Sequence, residues 1–288
     1  MSKKVKSIEA NAASAFSKLE KLKKILLEMQ KVLVAYSGGV DSTFLLKVAS
    51  DVLGKNVLAV TASSETYPQG EIEDAKRLAR KLKVRHSVIH TCELENPDFV
   101  SNPPQRCYYC KQELFSKLKE IAEAESIPYV LDGANYEDTE DFRPGAEAAQ
   151  ELGIRSPLKE AKLVKSEIRA LSRKLNLTTW DKPSLACLSS RFPYYSAIDM
   201  KSLKQIGQAE EFLKKLGFKQ VRVRHHDHIA RIEIGAEEFP KIIEKGTKER
   251  IVDNFKKLGY TYVSLDLAGY RTGSMNEPLP QSVKKKNK

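Results

Sequence analysis

Two groups of residues in this sequence have the types and spacing to do chemistry. The first is Tyr36-Ser37-Gly38-Gly39-Val40-Asp41-Ser42. It follows Lys31-Val32-Leu33-Val34-Ala35, a short β-former run of buried-strand length. It precedes Thr43-Phe44-Leu45-Leu46-Lys47-Val48-Ala49, whose apolar residues recur at helical spacing. The stretch reads strand, glycine-rich turn, helix. Paired glycines let the turn adopt angles closed to other residues and clear Cβ atoms from the approach. Ser42 is a candidate N-cap, and the free N–H groups of the first helical turn offer an anion site. A phosphate cradle follows. No Gly-Lys-Ser/Thr ends the loop and no G-x-G-x-x-G is present, which excludes a Walker A loop and a dinucleotide fingerprint.

The second group is sulfur. Cys107-Tyr108-Tyr109-Cys110 stands just before a predicted helix, where thiolates gain from free N–H groups and the helix dipole. Cys187 lies in a proline-containing linker. Cys92 follows a strand without partner spacing and reads as a buried or semi-buried thiol. A zinc half-site and a redox pair are the plain alternatives for Cys107 and Cys110. A closed zinc site needs four ligands, however, and only Cys187 is an obvious third. No thioredoxin-like context surrounds the pair. Three thiolates from two segments suit an iron–sulfur cluster with one iron left unligated by protein.

These residues need a frame. Helical periodicity runs from about Ile8 to Gln30, then strands are expected at Lys31–Ala35, Val57–Thr61, Ser87–His90 and Pro128–Leu131. Helices are expected between them, at Glu71–Leu82 and Tyr109–Glu123. Alternation of this kind predicts an α/β fold, a parallel sheet with helices on both faces. Ligands then gather at the carboxyl ends of the strands, which unites the glycine loop, Thr61–Ser64, the stretch after His90, and Asp132–Asn135. Beyond Lys182–Pro193 the pattern changes to helix, strand, strand, helices, strand: Met200–Leu216 closed by Gly217, alternating half-buried strands Val221–Arg224 and Ile229–Ile234, helices near Glu237–Ile243 and Lys248–Leu258, and Tyr260–Leu267. The expected division is a nucleotide-binding domain over residues 1–185 and a small α+β domain over 186–288.

Composition sets the remaining bounds. The 288 residues are 41% hydrophobic and 30% charged, enough to build cores and unlike a disordered chain. No apolar run reaches the ~18–20 residues of a membrane span. The basic N-terminus lacks an h-region, so a cytoplasmic protein is expected, and its four cysteines point to metal or redox chemistry over disulfides. The net charge of +11 invites an anionic partner, with nucleic acid the first candidate. Lys-rich solvated helix faces and the Lys284–Lys288 tail account for part of it.

Ser37–Ser42 resembles the pyrophosphate loop of the ATP pyrophosphatases, which cut ATP to AMP and pyrophosphate. The likeness implies that Ser37, Gly38, Gly39, Val40, Asp41 and Ser42 grip the leaving pyrophosphate while a substrate oxygen is adenylated, with Asp41 a candidate for Mg²⁺. Further segments resemble one branch of that family. They are Arg106–Lys111; Asp132-Gly133 with Asp138 and Asp141-Phe142-Arg143-Pro144-Gly145; Lys182–Pro193; and Val221–Arg224 with Ala230–Glu233. Together they resemble the LarE sulfur transferases over nearly the whole chain. Those enzymes adenylate carboxylates of pyridinium-3,5-biscarboxylic acid mononucleotide and replace oxygen by sulfur, in biosynthesis of the nickel-pincer nucleotide cofactor. Members that sacrifice a cysteine carry it one position before Cys187, where this chain has Ala186, and lack the Cys107/Cys110 pair. The likeness therefore implies the type whose three cysteines hold a [4Fe-4S] cluster with transferable sulfide. It also carries over Glu210 and Glu238 as acidic candidates. Arg191, Arg222 and Arg224 are candidates for the substrate phosphate, since guanidinium forks match phosphate; the plain alternative for the latter two is the outward face of a strand. Expected partners are a nucleotide substrate and a sulfide donor, in a homo-oligomer. A tRNA thiolase would share the loop and cysteines and suits the charge, but no RNA-binding module is apparent.

Overall fold

The protein is described from a computed structural model, which covers residues 3–68, 70–139, 143–183, 186–271, 273–281 and 283. Asp141, Phe142, Ser184, Leu185 and the Lys284–Lys288 tail lie outside the described residues. The first half runs α1 (Lys3–Met29), β1 (Val32–Ala35), α2 (Val40–Leu53), β2 (Val57–Ser63), α3 (Glu71–Lys81), β3 (Arg85–His90), α4 (Pro97–Val100), α5 (Arg106–Ala124) and β4 (Tyr129–Leu131). It continues through α6 (Pro144–Glu151), α7 (Pro157–Glu160) and α8 (Lys165–Lys174). The four strands form one sheet in the order β3-β2-β1-β4, every pair parallel.

Alternate residues of these strands face opposite helical layers. Val32, Val34 and Ala59 pack with Leu22 and Leu26 of α1, Phe44 and Leu45 of α2, and Ile168 of α8. Leu33, Leu58, Val60 and Val130 point the other way, onto Leu114, Phe115 and Leu118 of α5. Burial on both faces is what a parallel sheet requires and explains the unbroken apolar runs of β1 and β2. Successive connections carry the chain outward from β1 to β3, then back to β4 on the other side of β1. The connection reverses between β1 and β4, the point at which open parallel sheets hold ligands beyond the strand ends. The glycine loop leaves β1 there, and Asp132-Gly133 leaves β4 beside it.

The second half runs α9 (Met200–Lys215), β5 (Val221–His226), β6 (Ile229–Ile234), α10 (Phe239–Ile243), α11 (Thr247–Lys257) and β7 (Tyr262–Leu265). Its sheet has the order β5-β6-β7, antiparallel between β5 and β6 and parallel between β6 and β7. Leu213, Val223, Ile232, Ile251, Phe255 and Tyr260 fill a core of their own. Asp199 caps α9 through a bond from Ser202 N, and Gly217 ends it with φ +86°. A further cluster of Phe99, Leu188, Phe192, Ile198, Leu203 and Ile206 joins α4 to α9.

Two expectations change. Helix α5 starts at Arg106, so Cys107 and Cys110 sit within its opening turns and not before it. Strand β5 is covered on both faces: Arg222 and Arg224, on the polar side of the alternation, are 7% and 8% exposed. Among the described residues no helix is long and apolar enough to cross a membrane.

Candidate active site

The glycine loop closes on itself. Ser42 Oγ lies 3.0 Å from Ser37 Oγ and accepts Ser37 N–H at 3.3 Å, while Gly39 N–H points to Ser37 Oγ at 3.3 Å. Ser42 is thus inside α2, and Gly39 is the residue at the N-cap position, its carbonyl accepting Thr43 N–H at 3.0 Å. Gly38 has φ +70°, and a Cβ there would stand 3.2 Å from the Ala75 Cβ of α3. A Cβ on Gly133 would stand 3.1 Å from Ser42 N. Both glycines are needed for the loop to be approached from two sides.

Asp41 follows in the first turn of α2. One carboxylate oxygen pairs with Lys165, the first residue of α8, and the other, Oδ1, is buried without a partner. Burial raises the Asp41 pKa above the usual carboxylate range, Lys165 opposes this, and the neighbouring Asp138 adds to it. Asp138 itself accepts from Asn135 N–H at 2.9 Å and pairs with Arg143 at 2.7 Å. An orphaned carboxylate oxygen beside a second carboxylate, at the mouth of a phosphate loop, fits a hard divalent cation such as Mg²⁺. Lys165 gave no periodic signal in the sequence beyond its place at a helix start.

The cysteine-bearing segments are sewn together by residues on either side of them. Arg106, 3% exposed, donates from Nη1 to Ser189 O at 3.0 Å and to Asn102 Oδ1. Asn102 Nδ2 donates to Pro193 O and Ser196 O at 2.7 and 3.1 Å. Leu188 N–H reaches Thr66 O at 2.7 Å. Tyr67, next in chain, is half-buried, and desolvation pushes its phenol pKa well up; Cys110, Cys187, Glu93 and Cys107 push it the same way. Burial and the Glu93 carboxylate drive the Cys110 pKa well above its usual value, overturning the expectation that the helix start would favour its thiolate. Cys110 Sγ lies 3.7 Å from Glu93 Oε1, and Glu93 Oε2 is buried without a partner. All four cysteines are free thiols, and Cys92 is half-buried. Among the described residues no three Cys, His or carboxylate side chains are grouped for a metal ion. Against the lowering effect of burial, Cys107 and Cys187 raise the Arg106 pKa.

The arginines converge on the same segment from the other side. Arg191 binds Glu210 through two contacts of 2.7 and 2.8 Å and also donates to Ala186 O and Cys187 O at 3.0 Å each. Arg224 binds Glu233 at 2.9 and 2.8 Å and donates to Ser190 O at 2.7 Å. Arg222 stacks 5.3 Å from the Tyr270 ring and donates to Val221 O at 2.7 Å. Its pKa is lowered by burial and by the neighbouring Arg191 charge. Glu238 accepts the N–H groups of Lys219 and Gln220, at 2.9 and 3.3 Å, and so closes a turn.

Comparison with known proteins places this geometry. The sequence profile of the NAD synthase family matches residues 17–98, which contain the glycine loop. An uncharacterized protein of Synechocystis sp. is 45% identical over 91% of this chain and 98% of its own. An uncharacterized protein of Methanocaldococcus jannaschii is 33% identical over 88% and 98%. The pyridinium-3,5-bisthiocarboxylic acid mononucleotide synthase of Lactiplantibacillus plantarum is 40% identical over 89% of this chain and 93% of its own. That identity, over 89% of this chain and 93% of the relative, makes the chain a member of the LarE family of ATP-using sulfur transferases.

Proposed function

We propose that the protein adenylates a carboxylate of pyridinium-3,5-biscarboxylic acid mononucleotide and replaces its oxygen by sulfur. The observation that carries this reading is the relative named for the thiocarboxylate product, matched along nearly the whole chain. A carboxylate oxygen attacks the α-phosphorus of ATP, the bond to the bridging oxygen breaks, and pyrophosphate leaves. The N–H groups at the start of α2 and the Ser37 and Ser42 hydroxyls meet its charge. Asp41 would hold Mg²⁺, which spreads charge on the phosphates. Activation is needed because a carboxylate oxygen leaves poorly and AMP leaves well. Sulfur at the hydrosulfide level then adds to the acyl carbon, the carbon–oxygen bond to AMP breaks, and a thiocarboxylate remains without change of oxidation state.

Cys107, Cys110 and Cys187 would hold a [4Fe-4S] cluster, which would supply the sulfur. Arg106 would offset the negative charge of Cys107 and Cys187. Arg222, with Arg191 and Arg224 beside it, is proposed to receive the substrate phosphate. Residues 1–185 and 186–288 are proposed to act as nucleotide-binding and substrate domains. The deciding experiment supplies ATP and Mg²⁺ with either the pyridinium mononucleotide or tRNA. Pyrophosphate release and a thiolated product with the mononucleotide support the reading; thiolation of tRNA alone replaces it with the rival suggested by the basic charge.

A further inference from the structure

The Gly38–Gly39 peptide is gripped on its carbonyl side by a residue from far along the chain. Lys182 Nζ donates to Gly38 O at 3.3 Å and to Glu71 Oε2 at 2.8 Å. Glu71 opens α3, the helix whose Ala75 approaches Gly38. The lysine is held from behind: Arg169 of α8 donates to the carbonyl oxygens of Trp180 and Lys182 at 2.7 and 2.8 Å. Lys182 and Glu71 side chains are 19% and 18% exposed, so neither arm swings freely in water.

The consequence follows from peptide geometry. Across a trans peptide the carbonyl and the next N–H point in opposite directions. A cation fixed on Gly38 O therefore fixes the direction of Gly39 N–H, which faces Ser37 Oγ on the other side. It also polarises the peptide, which makes that N–H a stronger donor. Glu71 anchors the ammonium at 2.8 Å, so the lysine acts on the peptide and not on an incoming phosphate.

We infer that Lys182 is a positioning residue for pyrophosphate, holding and polarising the Gly38–Gly39 peptide so that Gly39 N–H meets the anion. The inference rests on the adenylating reading above, but its test does not need turnover. Calorimetric titration of the full chain with inorganic pyrophosphate and Mg²⁺, and separately with AMP, reads it directly. Lys182→Met is expected to weaken pyrophosphate binding ~10-fold, the loss of one charge-assisted hydrogen bond, and to leave AMP binding unchanged. Lys182→Gln, which keeps a neutral donor for the carbonyl, should fall between Met and wild type. Equal losses for pyrophosphate and AMP would mean general loosening and overturn the inference. A Gln variant as weak as the Met variant would assign the lysine a direct charge contact and overturn it equally. A wild type that binds pyrophosphate normally but does not adenylate the mononucleotide would count against the function and leave the role of Lys182 decided by the same titrations.

Discussion

Arg191 and Glu210 form a two-pronged ion pair with side chains 2% and 3% exposed. The Arg191 charge, with its hydrogen bonds, holds the Glu210 pKa below the usual carboxylate range against the opposing effect of burial. Removing one partner strands the other charge, at a cost of about 3–5 kcal/mol. Glu210→Leu is expected to lose that much stability in urea titrations. Since Arg191 also grips the carbonyls of Ala186 and Cys187, the variant should alkylate faster at Cys187. Stability within about 1 kcal/mol of wild type would show that the pair is dispensable.

Asp41→Asn should abolish mononucleotide-dependent pyrophosphate release while the fold persists. Its free Oδ1 is the buried acceptor best placed for a divalent cation, and an amide binds such a cation far more weakly. Coupled-enzyme detection of pyrophosphate, alongside circular dichroism, checks both halves. Release at the wild-type rate would remove Asp41 from the reaction.

Single Ala replacements at Cys107, Cys110 and Cys187 should each lose visible cluster absorbance, iron content and sulfur transfer, yet keep adenylation. Cys92→Ala should keep all of them, because three thiolates suffice for a cubane with one open iron and a fourth would block it. Intact-mass analysis after anaerobic turnover separates this from sacrifice of a cysteine. A protein lighter by one H₂S at Cys187, with no iron bound, would sink the cluster.

Stability should fall on the acid side of neutrality. Burial lowers the His225 pKa, outweighing the opposite pull of Asp199 and Asp227, and His228 adds to the lowering. Its Nδ1 lies 3.2 Å from the Tyr260 hydroxyl, and its ring 5.2 Å from that of Phe192. His86 and His226 are lowered too, again chiefly by burial. Such a histidine takes up its proton more readily in the unfolded chain. Its contribution is complete above about pH 6.5 and is lost as pH falls through the lower folded value. Urea midpoints should decline below that point, and His225→Gln should flatten the decline. Parallel curves for wild type and variant would rule His225 out.

The nucleotide half was legible because its signals are local. Apolar runs gave the parallel strands, and paired glycines between a strand and a helix gave the loop. What could not be read were partners fixed by distance in space. Lys165 and Lys182 are single cations in polar surroundings, with no periodicity to mark them. The burial of Arg222 and Arg224 could not be read from the alternation of one strand, because Arg224 is held by Glu233 of the neighbouring strand and by Ser190 of the preceding linker. The start of α5 was set late because Cys and Tyr are only middling helix formers, whereas Arg106 is locked there by tertiary bonds.

Asn102 ties the two cysteine segments across 91 and 94 residues of chain, through Pro193 and Ser196. Contacts so distant in sequence must wait for the chain between them to be made and ordered. During synthesis the four parallel strands can assemble as soon as β4 has emerged, while Cys107 and Cys110 remain without their third companion. The tie between the two cysteine segments is therefore among the last parts of the molecule to take shape. Until Pro193 and Ser196 arrive, Asn102 lacks both carbonyls that tie its segment to the one bearing Cys187.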